Sequence, residues 1–599
     1  MDQGSDPQQL KNERVIEVTM RHWRKAIGAL AIVAAIAGLS GSAVARVDAD
    51  TPDSLRAETF EAAQWAIASD AADALSKVSA RFAEGDDALG RLAEERETLI
   101  ARRDSLERTL EQLYAATGTD GQTRRAAART DYEAVLARLT VVDAAIAAGF
   151  PAYSELTSPR ALTVAETQAL LKPDEGLLLV LVNPEATYVW ALSHDQIAWA
   201  RADDLGDAAM TEAVGRLRAS LTTAASRGDP SIDPAIFAGR PVPAFDRAEA
   251  NHLYEALIKP VERVFQGKTT LISVTTGALT TLPLAVLATA PPTGSDTGPD
   301  AFATTPWLID RYALATLPSV SSLKALRCYL VADPRQRSAG CPPLPPSSAH
   351  VAARPAASTA FSLAAFGAPT LAGAPQDGSR GAPAADTILG EGRLADVSKL
   401  RALPYLPGSK AELDALKAQY PRALVRTGAA ATETAVRQGD ASAISNARFI
   451  VFSTHGLMAG STAAEPGLVL TPPAVATEAD DGYLSASEAA QLRLKAEFVV
   501  LSACNTAASD GRPGGEGLSG LARAFFYAGA RSVMVSHWEV SDVATTALIA
   551  DTFAALDRPG ADFGDRAKAL QSAMRTVRAN RLWSHPAFWA PFALVGEPG

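Results

Sequence analysis

The sequence predicts an α/β protein with a mostly parallel β-sheet flanked by helices, preceded by an α-helical hairpin region. From about residue 161 onward, apolar β-branched runs alternate with helical stretches, a pattern typical of parallel sheets. Two of these runs, Phe449–Phe452 and Phe498–Leu501, contain no polar residue, as expected of strands that are buried on both faces. Leucines at positions 92, 99, 106 and 113 recur every seventh residue and predict the first helix of the hairpin.

Residues 1–45 have the composition of an export signal. The basic stretch Arg21–Lys25 precedes an uncharged apolar run over 26–45, which ends in the small-residue motif Ala43-x-Ala45. We expect a cleaved signal peptide and a periplasmic or secreted protein, and a start at Met20 would give a leader of ordinary length. The alternative is an uncleaved membrane anchor, since about twenty apolar residues can span a bilayer.

Residues 46–160 are expected to form the helical hairpin or coiled-coil region. The chain breaks at residues 117–121, which contain two glycines, and the second arm then carries apolar residues spaced by three and four. Those residues are Tyr132, Val135, Leu139, Val142 and Ile146. Because no polar cluster converges on the pair, we interpret the hairpin as a packing or partner-docking element.

Residues 161–599 are predicted to form the sheet domain. Three strand-like runs in succession, Leu177–Val182, Thr187–Leu192 and Gln196–Ala200, predict an antiparallel meander. Later strands are expected at Leu271–Val274, Ser362–Phe366, Phe449–Phe452, Phe498–Leu501 and Ser532–Ser536. Stretches rich in Pro, Gly, Ala and Ser predict flexible insertions near 290–305, 338–356 and 372–395.

Charge and cysteine content exclude several classes of function. A formal net charge of −11 and a pI near 5.3 leave no broad basic surface, so nucleic acid is not an expected partner. Three cysteines without a C-x-x-C pair encode neither a zinc site nor a disulfide scaffold. Cys328 and Cys341 can pair in an oxidising compartment, which would leave Cys504 as the odd thiol.

His455 and Cys504 each follow a predicted buried strand. Parallel sheets place chemistry at the carboxyl ends of their strands. A thiol and an imidazole there can supply the nucleophile and the proton acceptor of acyl transfer. Gly456 allows its N–H to turn toward a carbonyl, so that it forms a two-donor oxyanion site with the amide of Cys504. The competing interpretation is an inert buried cysteine beside a histidine that hydrogen-bonds its surroundings.

The chain resembles the CHAT family, caspase-like domains that often accompany tetratricopeptide helices and are related in fold to separase. The resemblance runs from about Leu170 to Glu597 and implies a cysteine peptidase with His455 as general base and acid and Cys504 as nucleophile. It implies no metal and no organic cofactor. The matching segments are Ser453–Gly456, Asp481–Glu488, Leu501–Thr506, Gly515–Gly517, Arg523–Phe525, Ala528–Ala530, Trp538–Asp542, Leu282–Leu284, Leu317–Ser319, Leu406–Gly408 and Trp589–Phe592.

The resemblance also implies a specificity residue. In separase-like relatives an acidic residue at the position of Asp542 faces the P1 side chain, and a carboxylate favours Arg or Lys there. Glu516 and Trp538 are expected to line the same cleft. Asp542 can equally cap the helix that follows it. His537 is interpreted as a bystander, and Ser485 with Glu488 as a structural capping box.

The sequence therefore predicts an exported cysteine endopeptidase that cleaves a protein or peptide. We expect a partner or activator to gate it, with the glycine-rich loop 510–517 as the moving element. One alternative is a catalytically silent scaffold that binds a regulatory protein through the N-terminal helices, because no tetratricopeptide array is recognisable. The other is a cysteine-dependent acyltransferase that uses the same two residues. Membrane association is expected only if the segment 26–45 is retained.

Overall fold

The computed structural model describes residues 55–599 with gaps. The gaps are residues 68–90, several positions between 93 and 108, 111–118, 150–160, 226–243, 297–298, 330–336, 342–361, 374–393, 440, 458–464, 504–505, 508–519 and 558–564. The leader 1–45, Cys504, Glu516 and the glycine-rich loop therefore lie outside the described residues. Within the described ranges, no helix is both long and apolar enough to cross a bilayer.

The strands are short, and six of the fourteen that the structure describes are buried at every residue. They are β1 (Glu175–Val182), β2 (Thr187–Leu192), β3 (Ile197–Ala202), β4 (Thr270–Thr275), β5 (Ala313–Thr316), β6 (Leu363–Gly367), β7 (Leu424–Thr427), β8 (Phe449–Ser453), β9 (Gly456–Leu457), β10 (Gly467–Val469), β11 (Tyr483–Ser485), β12 (Phe498–Ser502), β13 (Ser532–Ser536) and β14 (Phe592–Gly596).

Helices pack against both faces of the main sheet, and one further helix, α2 (Thr119–Gly149), belongs to the N-terminal hairpin. They are α1 (55–67), α2 (Thr119–Gly149), α3 (Val164–Leu170), α4 (Asp207–Ala225), α5 (Arg247–Leu257), α6 (Pro299–Thr304), α7 (Leu308–Arg311), α8 (Val320–Lys324), α9 (Val397–Arg401), α10 (Pro407–Gln419), α11 (Ala441–Asn446), α12 (Ala486–Ala490), α13 (Gly520–Tyr527), α14 (Asp542–Leu556), α15 (Arg566–Ala579) and α16 (Pro586–Trp589).

Eleven of the described strands form one sheet, in the order β3-β2-β1-β4-β5-β14-β13-β12-β8-β6-β7. Strands β1, β4, β5 and β14 run parallel to one another, and so do β13, β12, β8, β6 and β7. The two sets meet where β13 pairs antiparallel with β14. The prediction of a mostly parallel sheet flanked by helices is therefore confirmed.

The two reactive strands are buried on both faces, as their apolar sequences predicted. Phe449 and Val451 of β8 pack into one hydrophobic core, whereas Ile450 and Phe452 pack into the core on the other side. Strand β12 alternates in the same way. Neither strand has a solvated face, which is why neither shows a polar residue before its end.

The predicted meander is present at one end of the sheet. Strand β2 pairs antiparallel with both β1 and β3, and the third strand is shifted slightly, from the predicted 196–200 to Ile197–Ala202. Strands β5, β7 and β14 of the main sheet were not predicted from the sequence. The first two have only four residues each, too few for a periodic signal, and β7 includes an arginine and a threonine.

A helical hairpin precedes the sheet domain, as predicted. Helix α2 includes all five apolar residues of the second arm, and the described residues between 91 and 110 are helical. Arg96 Nε lies 2.7 Å from Asp143 Oδ1, and Arg102 Nη2 lies 3.9 Å from Asp131 Oδ2. Because the earlier residue pairs with the later partner, the two arms run antiparallel.

Helix α1 packs with the sheet domain, although the sequence placed it in the hairpin region. Phe60 is fully buried in the same core as Leu162 and Leu177. The Gln64 amide donates to the Leu162 carbonyl and accepts from the Leu162 N–H, both at 2.9 Å. Residues 56–599 form one compact unit.

The prediction of a flexible insertion near 290–305 is wrong. Residues 299–304 form helix α6, which buries Phe302 completely. Arg247, 2% exposed, donates to Asp296 and to the carbonyls of 293–295, so an interior guanidinium holds this proline- and glycine-containing segment in place. The other two predicted insertions, 338–356 and 372–395, fall mostly outside the described ranges.

Cys328 and Cys341 form a disulfide. Their Cα atoms are 5.3 Å apart, a normal separation for a disulfide. The pairing considered from the sequence is therefore confirmed. Because the chain has three cysteines, Cys504 is the thiol that remains.

Candidate active site

His455 lies two residues after the end of β8 and directly before β9, and it is fully buried. The ring Nε2 lies 2.8 Å from the carbonyl oxygen of Pro404. A carbonyl oxygen can only accept, so Nε2 must carry the proton of this hydrogen bond. In the neutral ring, Nδ1 is then the nitrogen that carries the lone pair. The hydrogen bond to Pro404 thus favours the neutral tautomer that carries its proton on Nε2.

Pro404 itself is held by backbone pairing. The N–H of Gly373 donates to the carbonyl of Leu403 at 3.1 Å, and the N–H of Tyr405 donates to the carbonyl of Gly373 at 3.2 Å. These bonds flank Pro404 on both sides, so the acceptor for His455 belongs to a fixed backbone segment. Sequence reasoning missed Pro404, because its contribution is a main-chain carbonyl that any residue could provide.

Gly456 is placed with its N–H directed away from its partner strand. It lies opposite Leu468 in the antiparallel pair of β9 and β10, and the N–H of Val469 donates to the His455 carbonyl at 3.0 Å. That bond makes Gly456 and Leu468 a non-hydrogen-bonded pair, whose N–H and C=O groups point outward. Strand β9 lies at an end of its three-stranded sheet. The orientation suits an oxyanion donor.

The strand register places the last residues of β8 and β12 at the same level of the sheet. Strands β8 and β12 are parallel neighbours, and Ser453 lies opposite Ser502. Adjacent strands are about 4.8 Å apart. In the sequence, His455 follows Ser453 by two residues and Cys504 follows Ser502 by two residues. Cys504 itself is not among the described residues.

A buried carboxylate supports the end of β12. Glu412 of α10 is 1% exposed, and its Oε2 accepts a hydrogen bond from the Ser502 hydroxyl at 2.8 Å. Its partner Ser502 precedes Cys504 by two residues in the sequence. Glu412 itself belongs to a helix ninety positions upstream of Ser502. No sequence signal marked it, because a lone glutamate in an amphipathic helix usually faces solvent.

Asp542 is the first residue of α14, and it is 6% exposed. Its Oδ2 accepts from the N–H of Gly408 at 3.2 Å, so the carboxylate lies at the N-terminus of α10. The alternative in which Asp542 caps its own helix is wrong, since the N-cap position of α14 is Ser541. The segment from Pro404 to Gly408 thus contacts both His455 and Asp542.

Gly408 permits this close approach because it lacks a side chain. A Cβ at this position would lie 2.3 Å from Cγ of Asp542. We expect Gly408→Ala to displace the carboxylate and to lower the free energy of unfolding by about 1–3 kcal/mol, as overpacking typically does. Chemical denaturation measures this loss.

Gly215→Ala is the matched control for that substitution. Gly215 lies within α4, and a methyl group at this position would meet no neighbouring atom within 4 Å. The control should raise stability by about 0.5–1 kcal/mol, because alanine is the better helix former. Equal stability changes in the two variants would show that Gly408 and Asp542 are not tightly packed.

Trp538 does not line an open cleft. It is 1% exposed within the main core, and its indole N–H donates to the Ala587 carbonyl at 3.0 Å. The preceding residue, His537, is also buried, and burial together with the charge of Arg218 lowers the pKa of His537 to about 3. His537 is therefore neutral at physiological pH. Glu516 lies outside the described residues.

Three further motif residues have structural roles. Ser485 and Glu488 form the predicted capping box at the start of α12, each satisfying a backbone N–H of the other. Gly529, in the motif Ala528–Ala530, adopts a φ of +106° that favours glycine. These residues build the fold around the site and do not provide chemistry.

A family model and two relatives match parts of this chain. The family model described as the CHAT domain matches residues 247–597. Tetratricopeptide repeat protein 28 of Mus musculus is 36% identical over 115 residues, and that of Homo sapiens is 34% identical over 115 residues. Each match covers 19% of this chain and 4% of the relative, so the chain spans a small part of either protein.

Two crystal structures of the Saccharomyces cerevisiae separase–securin complex are also similar. One has a TM-score of 0.38 at 9% identity, covering 89% of this chain and 40% of the other. The second has a TM-score of 0.38 at 10% identity, covering 84% and 37%. The CHAT domain model matches more than half of the chain and includes both strand ends described above, so this protein belongs to the CHAT domain family.

Proposed function

We propose that this protein is a cysteine endopeptidase in which Cys504 is the nucleophile and His455 the general base and acid. The observation that supports this best is the hydrogen bond from His455 Nε2 to the Pro404 carbonyl, which assigns the ring proton to Nε2 and the role of base to Nδ1. The register of β8 and β12 supports it further, because both residues follow the same edge of the sheet. Membership of the CHAT family is consistent with a caspase-like protease-type domain.

The proposed reaction begins with transfer of the Cys504 thiol proton to Nδ1 of His455. The thiolate attacks the scissile carbonyl carbon, and the resulting oxyanion accepts hydrogen bonds from the N–H groups of Gly456 and Cys504. The imidazolium is stabilised at Nε2 by the Pro404 carbonyl, since a charged donor strengthens that bond. His455 then protonates the leaving amine, and water hydrolyses the thioester to release the acid and restore the thiol.

We propose that P1 is basic, with Asp542 as the residue that selects it. Asp542 contacts Gly408, and the same short segment contacts His455 through Pro404, so the carboxylate lies near the base. A carboxylate at this place favours Arg or Lys by charge. Asp542→Asn should therefore reduce cleavage after Arg more than cleavage after Leu, and an unchanged ratio of kcat/KM values would remove this assignment.

We propose that the protein is exported. The support comes from the leader pattern over 1–45 and from the Cys328–Cys341 disulfide, because such bonds persist in oxidising compartments. Edman sequencing of the mature protein should begin at Arg46. A mature N-terminus that still includes residues 26–45 would indicate a retained anchor.

The test of the peptidase proposal is covalent labelling of the purified protein with an acyloxymethyl ketone probe that bears P1 Arg. We expect labelling that is lost in both Cys504→Ala and His455→Ala, with unfolding midpoints near that of the parent protein. Probes with P1 Asp and P1 Leu separate a different specificity from inactivity. Labelling that survives in Cys504→Ala would contradict the assignment of the nucleophile.

A catalytically silent scaffold is the second candidate. The complete burial of His455 and the 1% exposure of Trp538 favour a closed site, which suits either a scaffold or an enzyme that a partner must open. Failure of all three probes would support the scaffold. Labelling followed by transfer of the acyl group to an added amine, rather than to water, would instead support an acyltransferase.

A further inference from the structure

We propose that Ser536 and Thr506 are positioning residues that hold the backbone on both sides of Cys504, and this inference rests on the proposed function. Their hydrogen bonds, which we call the Ser536 clamp, join the end of β13 to the residues that flank the nucleophile. Ser536 is fully buried, and Thr506 is 4% exposed.

The clamp consists of bonds in both directions between the two segments. The Ser536 hydroxyl donates to the carbonyl of Ala503 and accepts from the N–H of Thr506 at 3.3 Å. The Thr506 hydroxyl accepts from the N–H of Ser536 at 2.8 Å. The Ser536 carbonyl accepts from the N–H of Ala507 at 2.8 Å. Ser536 therefore contacts the chain before Cys504 and after it.

These bonds take over where the regular sheet pairing ends. The ladder between β12 and β13 pairs Val499 with Val533 and Val500 with Met534. Beyond it, the N–H of Ala507 still donates to the Ser536 carbonyl, and the hydroxyls of Thr506 and Ser536 make further hydrogen bonds between the two segments. A hydroxyl suits this place because it both donates and accepts. An alanine or valine at either position would leave buried backbone groups without these partners.

The clamp matters because two residues separate its attachment points. Cys504 and Asn505 must connect Ala503 to Thr506, and both of those are held by Ser536. The clamp therefore holds the two residues through which any movement of this short connection must pass, Ala503 and Thr506. An oxyanion donor works only when its N–H lies within a few tenths of an ångström of the required position.

The chain supplies a matched control in Ser532, at the opposite end of the same strand. Ser532 is also fully buried, and its hydroxyl donates to the carbonyl of Glu597 at 2.5 Å. Ser532→Ala and Ser536→Ala remove the same group from the same strand, so they should lower the unfolding midpoint by similar amounts. Only Ser536→Ala should release the backbone of Ala503 and Thr506, the residues held by the clamp.

The first experiment measures kcat and KM for peptide hydrolysis in the full-length protein. We expect Ser536→Ala and Thr506→Val to lower kcat by about 10²-fold with KM within about twofold, since a misplaced reacting group costs that much. Thr506→Ser restores the hydroxyl and should recover most of the rate. Ser532→Ala should keep the parental rate. Equal losses in Ser536→Ala and Ser532→Ala would overturn the proposal.

The second experiment does not depend on peptidase activity. Hydrogen–deuterium exchange of the amides of 503–507 should become faster in Ser536→Ala and stay unchanged in Ser532→Ala. If the parent protein hydrolyses nothing while exchange behaves as expected, the proposed function fails and the clamp stands. If the parent is active and Ser536→Ala changes neither kcat nor exchange, the clamp is wrong and the proposed function stands.

Discussion

Replacing His455 with glutamine should reduce kcat for peptide hydrolysis by about 10²–10⁴-fold, the range that general acid–base catalysis contributes. Glutamine suits the test because its amide can donate to the Pro404 carbonyl as the ring Nε2 does. The substitution therefore removes the titrating nitrogen and keeps a donor toward this acceptor. Stopped assays across pH 5–9 would measure the loss, and KM should change little because substrate contacts are retained.

The pH dependence distinguishes a base from a merely buried histidine. In the parent protein the rate should follow the ionisation of both the thiol and the imidazole, whereas the His455→Gln rate should follow the thiol alone. His537→Gln is the control, since His537 has a pKa of about 3 and is neutral throughout this range. Comparable losses in the two variants, with comparable falls in unfolding midpoint, would assign the His455 effect to stability.

The main sheet was predictable because its buried strands consist almost entirely of apolar residues. Phe449–Ser453 and Phe498–Ser502 are apolar up to their last residue, and each lies between two cores. Strands β5 and β7 were not predictable, since four residues are too few to show a hydrophobic periodicity. The order of the segment near 290–305 was not predictable either, because it depends on Arg247, which lies outside the proline- and glycine-containing stretch in sequence.

The candidate site was predictable only in part. His455, Gly456 and Asp542 stand out by their place after strands and by their motifs. Their supporting groups do not, because Pro404 is 51 positions from His455 and Gly408 is 134 positions from Asp542. Moreover, Pro404 and Gly408 make these contacts through main-chain atoms, so the residue type at either position does not reveal the contact. Glu412 and Ser536 contribute side chains, but their partners are likewise distant in sequence.

A buried ion cluster joins the beginning and the end of the sheet domain. The Arg327 guanidinium lies 2.6 Å from Glu175 and 3.0 Å from Glu597, and all three side chains are at most 3% exposed. Burial opposes ionisation of Glu597, but the positive charge of Arg327 outweighs burial and holds the pKa of Glu597 below its ordinary value. The cluster thus ties β1 to the end of β14, beside the disulfide at Cys328.

Arg327→Met should lower the free energy of unfolding by about 3–5 kcal/mol at neutral pH, because it leaves two buried carboxylates without their cation. Adding Glu175→Gln and Glu597→Gln should recover part of this loss. Arg581→Met breaks an ion pair with Asp300 whose side chains are 67% and 70% exposed, so it should cost less than about 1 kcal/mol. Urea denaturation of these variants compares the two environments directly.

The sign of the pH dependence separates a charge effect from lost packing. In the parent protein the depressed pKa of Glu597 contributes stability above about pH 4.3, the ordinary glutamate value, and this stability is lost as pH falls through the folded pKa. In Arg327→Met the carboxylates are buried without the guanidinium, so protonation should relieve the penalty. The difference between parent and variant should therefore shrink from pH 7.5 to pH 4.5. A difference that stays constant over this range would mean that Arg327 stabilises the protein through its hydrocarbon contacts and not through its charge.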